Sequence, residues 1–346
     1  MKFLILAGGH GTRLWPISTA EKPKQFQSFV SNRTLIQMAF DRIKDLVPVQ
    51  DIFVSSNVEY ATYIREQLPE IPDKNIILEP QKRDTCPGIS YAMQYIAQHS
   101  DLDETVSIIY SDHLIQNTPE FQKALITGHS TAKTNKKFTI IEVKAKFPNP
   151  NLGYAKIGKQ VHDSKHFPIY ELDHFTEKPD VETAKTYLES YKYLWNTGYY
   201  IWRIDHYFEN LQKYSKEVFE VTQKIQTFPA TKELYQQFPK ISLDYSLIEK
   251  MPASEIWIIP ADLGWSDIGT WNSLFQELTH SDNVTEGQVD HLESKNCLII
   301  NKNPNYKITA INTKDLAIIQ NGDQILVCNM NSDNLIKQYL NSQNGS

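Results

Sequence analysis

Cysteine is scarce: Cys86, Cys297 and Cys328 are the only three in 346 residues. They are odd in number and far apart, which excludes a disulfide framework and a CxxC metal pair and leaves each as a small buried hydrophobe. Long apolar runs are also missing. Nothing approaches the ~20 residues of a membrane span, and Phe3-Leu4-Ile5-Leu6-Ala7 meets Gly8-Gly9 before reaching the roughly 7–15 residues of a signal-peptide core. Positive charge is not in excess: 35 Lys and Arg stand against 41 Asp and Glu, a formal net charge of −6. That argues against nucleic acid, which wants a basic face, but leaves room for a local basic pocket around a phosphorylated small molecule. The ten histidines show no H-E-x-x-H or comparable zinc spacing. The expected molecule is cytoplasmic, with neither a membrane nor a nucleic-acid partner.

What is present is an ordinary globular composition, 40% hydrophobic and 11% aromatic. At roughly 150 residues per domain, the length allows two domains or one large domain with an appendage. A short apolar run, a Gly-rich turn and an amphipathic stretch over 35–46 read as strand, loop and helix. The pattern recurs, with strands expected over 51–55, 75–78, 105–110 and 138–143 and helices over 58–68 and 88–99. This alternation implies βαβ units and an α/β, Rossmann-like fold: a mostly parallel (mixed) sheet flanked by helices. Further strands are expected over 152–157, 169–175, 199–203 and 255–259, and helices over 181–188, 205–228 and 271–278. After about His280 come short β-rich pieces at 297–301, 307–311, 316–319 and 324–328, separated by turns such as Asn321-Gly322, and then a helix near 333–340. The expected division is a domain over 1–285 and a small β-rich domain over 286–346, with Asn344-Gly345-Ser346 frayed.

Ligand sites in such folds lie at the carboxyl ends of strands, and two informative segments sit there. The first is Leu6-Ala7-Gly8-Gly9-His10-Gly11-Thr12-Arg13-Leu14-Trp15-Pro16. A Gly-rich turn after a strand lets backbone N–H groups approach phosphate oxygens, and Arg13 adds a permanent cation whose fork fits phosphate. Neither standard phosphate motif matches: G-x-x-x-x-G-K-[ST] is absent, and the third glycine position of G-x-G-x-x-G is Leu14. A tight turn without a ligand is the alternative, and Arg13 with the following Lys22-Pro23-Lys24-Gln25-Phe26 weighs against it. The second segment is Ser111-Asp112-His113. Asp112, together with Asp267 in a Gly-flanked turn, offers two carboxylates able to hold Mg²⁺ while phosphates supply other ligands. Taken singly, they read as a helix N-cap and a turn residue.

GGHGTRLWP followed by PKQF resembles the signature of sugar-1-phosphate nucleotidyltransferases. Trp15-Pro16 with Pro23-Lys24-Gln25-Phe26 is similar to the mannose-1-phosphate guanylyltransferase branch. Glu79-Pro80-Gln81-Lys82-Arg83-Asp84-Thr85-Cys86-Pro87, Ser111-Asp112-His113, Phe175-Thr176-Glu177-Lys178-Pro179, Trp195-Asn196-Thr197-Gly198 and Gly264-Trp265-Ser266-Asp267-Ile268-Gly269-Thr270-Trp271 follow in family order over about residues 1–280. The resemblance implies a nucleotide-diphospho-sugar transferase fold, the reaction of mannose 1-phosphate with GTP to give GDP-mannose and pyrophosphate, Mg²⁺ as cofactor, and a homodimer. It implies Arg13 and Lys24 as the clamp on the triphosphate, and Asp112 and Asp267 as metal ligands. Leu6, Ala7, Gly8, Gly9, Gly11, Thr12, Arg83, Thr85 and Gly88 would lie along the nucleotide, and Gly153, Glu177, Lys178, Asn196 and Asp262 along the sugar phosphate.

The chemistry of these side chains agrees. Glu177 can accept from sugar hydroxyls, Lys178 can pair with phosphate, and Asn196 can read hydroxyl orientation. A surface salt bridge and an ordinary turn are the alternatives. Three positions depart from the pattern. Asp84 replaces the usual Asn and either accepts from guanine N1–H and N2–H₂ or caps the following helix. His10 replaces a small residue, and Thr19 replaces an Arg. Two rival functions are the same chemistry on another sugar 1-phosphate or NTP, and a catalytically silent nucleotide-sugar-binding regulator. A silent relative should have lost Arg13, Lys24, Asp112 or Asp267, and all four are present.

Overall fold

The structure, a computed structural model, describes residues 1–343 apart from His10 and His280. The expectations placed on His10 and on Asn344-Gly345-Ser346 lie outside the described residues. The chain forms two compact units. The first comprises Met1–Gly8, Ala39–Ser111 and Ile115–Trp265, and the second Gly9–Met38, Asp112–Leu114 and Ser266–Ser346.

The first unit is built on a nine-stranded sheet. Its strands in chain order are β1 (Lys2–Leu6), β2 (Ile52–Asn57), β3 (Ile76–Glu79), β4 (Thr105–Tyr110), β5 (Phe138–Lys144), β6 (Tyr154–Asp163), β7 (Pro168–Thr176), β8 (Tyr193–Arg203) and β9 (Ile256–Pro260). Across the sheet the order is β3-β2-β1-β4-β8-β5-β9-β7-β6, and β8 also pairs with β6. The β3-β2-β1-β4 half is parallel, as is β5–β9. β8 pairs antiparallel with β4 and β5, and β7 with β9 and β6, so the sheet is mixed. β2 is buried at every position. Strands covered on both faces tend to read as apolar runs, such as Ile52-Phe53-Val54 here, which makes this half legible from sequence. Leu4, Ile108, Ile89, Met93 and Trp202 share the core between sheet and helices.

Three helical readings differ from expectation, the first being the helix expected over 35–46, which spans only Leu35–Asp41. A helix over Thr118–Asn135 occupies a stretch where none is expected; its start is fixed by the Asn117 side chain accepting from Glu120 N at 3.3 Å. The stretch 205–228 is two helices, Ile204–Tyr214 and Lys216–Lys224, broken at buried Ser215, whose hydroxyl bonds Ser246 Oγ at 2.5 Å. No helix among the described residues is long and apolar enough to cross a membrane.

The second unit carries the strands β10 (Asn283–Glu286), β11 (Val289–Leu292), β12 (Cys297–Asn301), β13 (Ile308–Ile311), β14 (Leu316–Asn321) and β15 (Gln324–Asn329). β10-β12-β14-β15 form one sheet and β11-β13 another. All these pairs are parallel except β14–β15, which closes antiparallel across Asn321-Gly322. β12 is buried throughout, and its period of two serves two cores. Leu298 and Ile300 join Leu14, Ile17, Phe29 and Trp271. Cys297 and Ile299 pack with Ala310.

Candidate active site

In the second unit the site residues gather on Lys24. Gly11 has φ +57°, and a Cβ there would lie 2.6 Å from Lys24 Cγ, so the position needs glycine for both its backbone and its space. Lys24 follows Pro23 at the start of a 3₁₀ turn and is 8% exposed. Its ammonium meets three oxygens: Asp112 Oδ2 at 3.0 Å, Ile268 O at 3.0 Å and Asp267 O at 3.3 Å. Three acceptors match the three protons of a buried ammonium, which is costly to leave unpaired. One lysine therefore ties together the two segments that carry Asp112 and Asp267. Burial would push the Asp112 carboxyl up, but the charges of Lys24 and His113 outweigh it and hold it below its ordinary value. The Asp267 carboxylate, just before the Thr270-capped helix Trp271–Leu278, makes no hydrogen bond or ion pair among the described residues. Arg13 lies in the 3₁₀ turn Thr12–Leu14. Its charge pulls on Asp333, whose carboxyl burial pushes up. Asp333 opens the tail helix, and its Oδ1 is buried without a partner among the described residues. No motif points to it.

In the first unit the Leu6-Ala7-Gly8 backbone is pinned at the end of β1. Leu6 O accepts from Ser111 N at 3.1 Å and Ser111 Oγ at 2.6 Å, Ala7 N donates to Ser55 O at 2.8 Å, and Ala7 O accepts from Ser56 Oγ at 2.6 Å. Beside it, Glu79 ends β3 and is 8% exposed. Its carboxylate abuts two expected nucleotide positions: Oε1 lies 3.0 Å from where a Cβ on Gly88 would be, and 4.0 Å from one on Gly8. Tyr235 Oη donates to Glu79 Oε2 at 2.5 Å and Ser55 Oγ to Oε1 at 3.4 Å. Burial nonetheless raises the Glu79 carboxyl to about 7. Glu79 stands inside a recognised motif without an expected role, because only the fold shows that it faces the glycines. Asp84 does the blander of its two tasks: it is exposed, has φ 74°, and its Oδ1 accepts from Thr85 N at 2.7 Å at the start of the helix Thr85–Ala97. Thr85 Oγ1 accepts from Leu243 N at 3.0 Å. Arg83 Nε is buried with no partner among the described residues.

The expected sugar residues converge in the same unit. A Cβ on Gly153 would lie 2.5 Å from Glu177 Oε2 and 3.2 Å from Asn196 Cβ, so this glycine permits the approach of both. Asn196 N donates to Gly153 O at 2.8 Å, and Asn196 Oδ1 accepts from Gly198 N at 2.9 Å. The Asn196 amide donates to Tyr200 Oη at 2.7 Å and Asp244 Oδ1 at 3.0 Å. Lys178 pairs with the Glu177 carboxylate. Burial, with Asp244 adding to it, raises the Glu177 carboxyl to about 6. Asp262 stays outside this network: it is exposed, and among the described residues only its backbone oxygen is engaged, by Asn117 Nδ2 at 3.2 Å. Sequence reasoning misses Asp244, Tyr200 and Glu142. Glu142 is fully buried on β5, paired in register with Asn196, with Oε1 unpartnered among the described residues. Sequence spacing carries no sign of any of these three.

Comparison with known proteins follows the same lines. The Nucleotidyl transferase family matches residues 2–283. Mannose-1-phosphate guanylyltransferase of Escherichia coli K12 is 29% identical over 350 residues, covering 97% of this chain and 72% of its own. Another Escherichia coli mannose-1-phosphate guanylyltransferase is 32% identical over 349 residues, with the same 97% and 72% coverage. A solved Thermus thermophilus protein, described as a mannose-1-phosphate geranyltransferase, covers 99% of both chains with a TM-score of 0.88 at 22% identity, which establishes the fold.

Proposed function

Because the chain belongs to the nucleotidyl transferase family, and within it to the mannose-1-phosphate guanylyltransferases, we propose that it converts α-D-mannose 1-phosphate and GTP into GDP-mannose and diphosphate. A phosphate oxygen of the sugar attacks the α-phosphorus of GTP, and the bond to the β-phosphate breaks in line with it. The sugar phosphate is already a nucleophile near pH 7, so no activating base is required. The barrier lies in bringing anions together, and positioning and electrostatics lower it.

Each residue group then has a task. Lys24 exchanges Asp112 for a triphosphate oxygen, and Arg13 supplies a second cation on the departing diphosphate. Asp112 and Asp267 suit a divalent cation, Mg²⁺ in this reading: both are hard oxygen donors, Lys24 fixes the segments that bear them, and the Asp267 carboxylate is uncommitted. When bound, the ion would neutralise charge on the α-phosphate. The backbone of Leu6, Ala7, Gly8, Gly9, Gly11 and Thr12 lines the nucleotide with Arg83, Thr85 and Gly88. Glu79 rather than Asp84 accepts from guanine N1–H and N2–H₂, because Glu79 is the carboxylate set against Gly8 and Gly88. Gly153, Glu177, Lys178 and Asn196 bind the sugar phosphate, and Asp262 is a peripheral contact.

A domain over 1–285, near where the family match ends at residue 283, and an appendage over 286–346 remain the proposed division, while the second compact unit adds Gly9–Met38, Asp112–Leu114 and the stretch from Ser266 to that appendage. A cytoplasmic homodimer completes the reading, the dimer to be checked by light scattering. The observation that carries the proposal is the buried Lys24 ammonium held between the Asp112 and Asp267 segments. Diphosphate release with Mg²⁺, measured over four NTPs and several sugar 1-phosphates, tests it. Activity centred on GTP with mannose 1-phosphate is expected. Strong preference for another pair would overturn the substrate assignment, and nucleotide binding without turnover would overturn the enzyme.

A further inference from the structure

Along β3, at the edge of the first unit's sheet, lies a cavity of about 420 Å³ lined by none of the site residues above. That is within the range of about 300–1,000 Å³ typical of small-molecule pockets. Its wall is mainly apolar and includes Ile76 and Leu78 of the edge strand together with Tyr91, Tyr95 and Phe228. Phe228 meets Tyr95 edge-on at 5.0 Å and 82°, and Tyr91 at 4.9 Å and 46°. Three charged residues also line the cavity, Asp73, Lys74 and Lys232. Asp73 is already paired with Arg65 at 3.0 Å. Lys74 and Lys232 have no ion pair among the described residues. The cavity therefore combines mainly apolar, aromatic walls with two bordering lysines that make no ion pair among the described residues.

We propose that this cavity is a binding site for a compact aromatic anion, and that its occupant acts on nucleotide recognition through Tyr235. Lys232 and Tyr235 are the first and last residues of one helical turn. The Tyr91 ring, in the cavity wall, meets the Tyr235 ring edge-on at 5.3 Å and 89°. Tyr235 Oη in turn holds Glu79 Oε2 at 2.5 Å. A ring packed on Tyr91 and an anion drawn to Lys232 both bear on the residue that orients the Glu79 carboxylate. The second half of the proposal rests on Glu79 as the reader of the base; the binding site itself does not.

The test is a fluorescence titration of the full chain with 8-anilinonaphthalene-1-sulfonate, an aromatic sulfonate. Saturable binding of one dye per chain is expected, weakened at least tenfold in the Lys74→Glu/Lys232→Glu double variant. That variant keeps its circular dichroism spectrum and kcat. Dye taken up at many sites, or equally by the variant, overturns the site. Filling the site should change the KM for GTP threefold or more in the wild type and not in the variant; an unchanged KM at saturating dye overturns the coupling. If Glu79→Gln leaves base choice intact, the reading of Glu79 falls, while the dye titration still decides the cavity.

Discussion

Replacing Glu79 by Gln keeps the shape of the side chain and removes its titration. Burial raises this carboxyl from 4.5 to about 7, because the charged form is disfavoured at β3. A carboxyl that holds its proton more tightly when folded stabilises the fold fully below its unfolded pKa. That stabilisation declines as pH rises and is gone above about 7. At about 1.4 kcal/mol per pH unit, the interval from 4.5 to about 7 is worth about 3 kcal/mol. Urea unfolding followed by tryptophan fluorescence between pH 5 and 8.5 measures it. Because part of the effect is already lost at pH 5, the wild type should lose about 2–3 kcal/mol relative to Glu79→Gln across that range. Parallel curves for the two proteins would refute the placement of a protonatable, buried carboxyl at this position. Base choice gives a second readout. A hydrogen bond to a charged acceptor is worth about 1.5–3 kcal/mol, so kcat/KM for GTP should fall by about 10- to 150-fold while that for ATP changes little.

The remaining predictions concern turnover. Lys24→Ala should lower kcat by about 10²–10³, the scale of removing one transition-state donor; steady-state diphosphate release checks it, and wild-type turnover would remove Lys24 from the reaction. Asp267→Asn should raise the Mg²⁺ concentration needed for half-maximal rate, and an unchanged metal titration would speak against ligation. Glu177→Gln should raise the KM for mannose 1-phosphate more than that for GTP, whereas equal losses would move Glu177 out of the sugar site.

Much of the fold is readable because its physics is local. Thr105–Tyr110, Trp271–Leu278 and Cys297–Asn301 occur with the limits their apolar patterns suggest. The Thr118–Asn135 helix hides behind a weak apolar face, although Asn117 followed by Pro119 and Glu120 is a start signal. The break at Ser215 cannot be foreseen, since its partner Ser246 lies 31 positions away. The candidate site divides in the same way. Arg13, Lys24, Asp112, Glu177 and Asn196 sit in contiguous motifs and are legible there. Glu79, Tyr235, Asp244 and Glu142 acquire their surroundings from distant chain segments brought side by side, and only coordinates reveal that.

The segment Gly9–Met38, which carries Arg13 and Lys24, packs with residues from Ser266 onward. During synthesis it therefore leaves the ribosome well before the rest of its unit has been made. Between Met38 and Ser266 lie about 230 residues, and at roughly 5–20 residues per second that is on the order of 10–50 s. Throughout that wait Leu14, Ile17, Phe29 and Leu35 have no Trp271, Leu298 or Ile300 to cover them. The nascent chain thus presents a hydrophobic segment whose packing partners are among the last residues to be made.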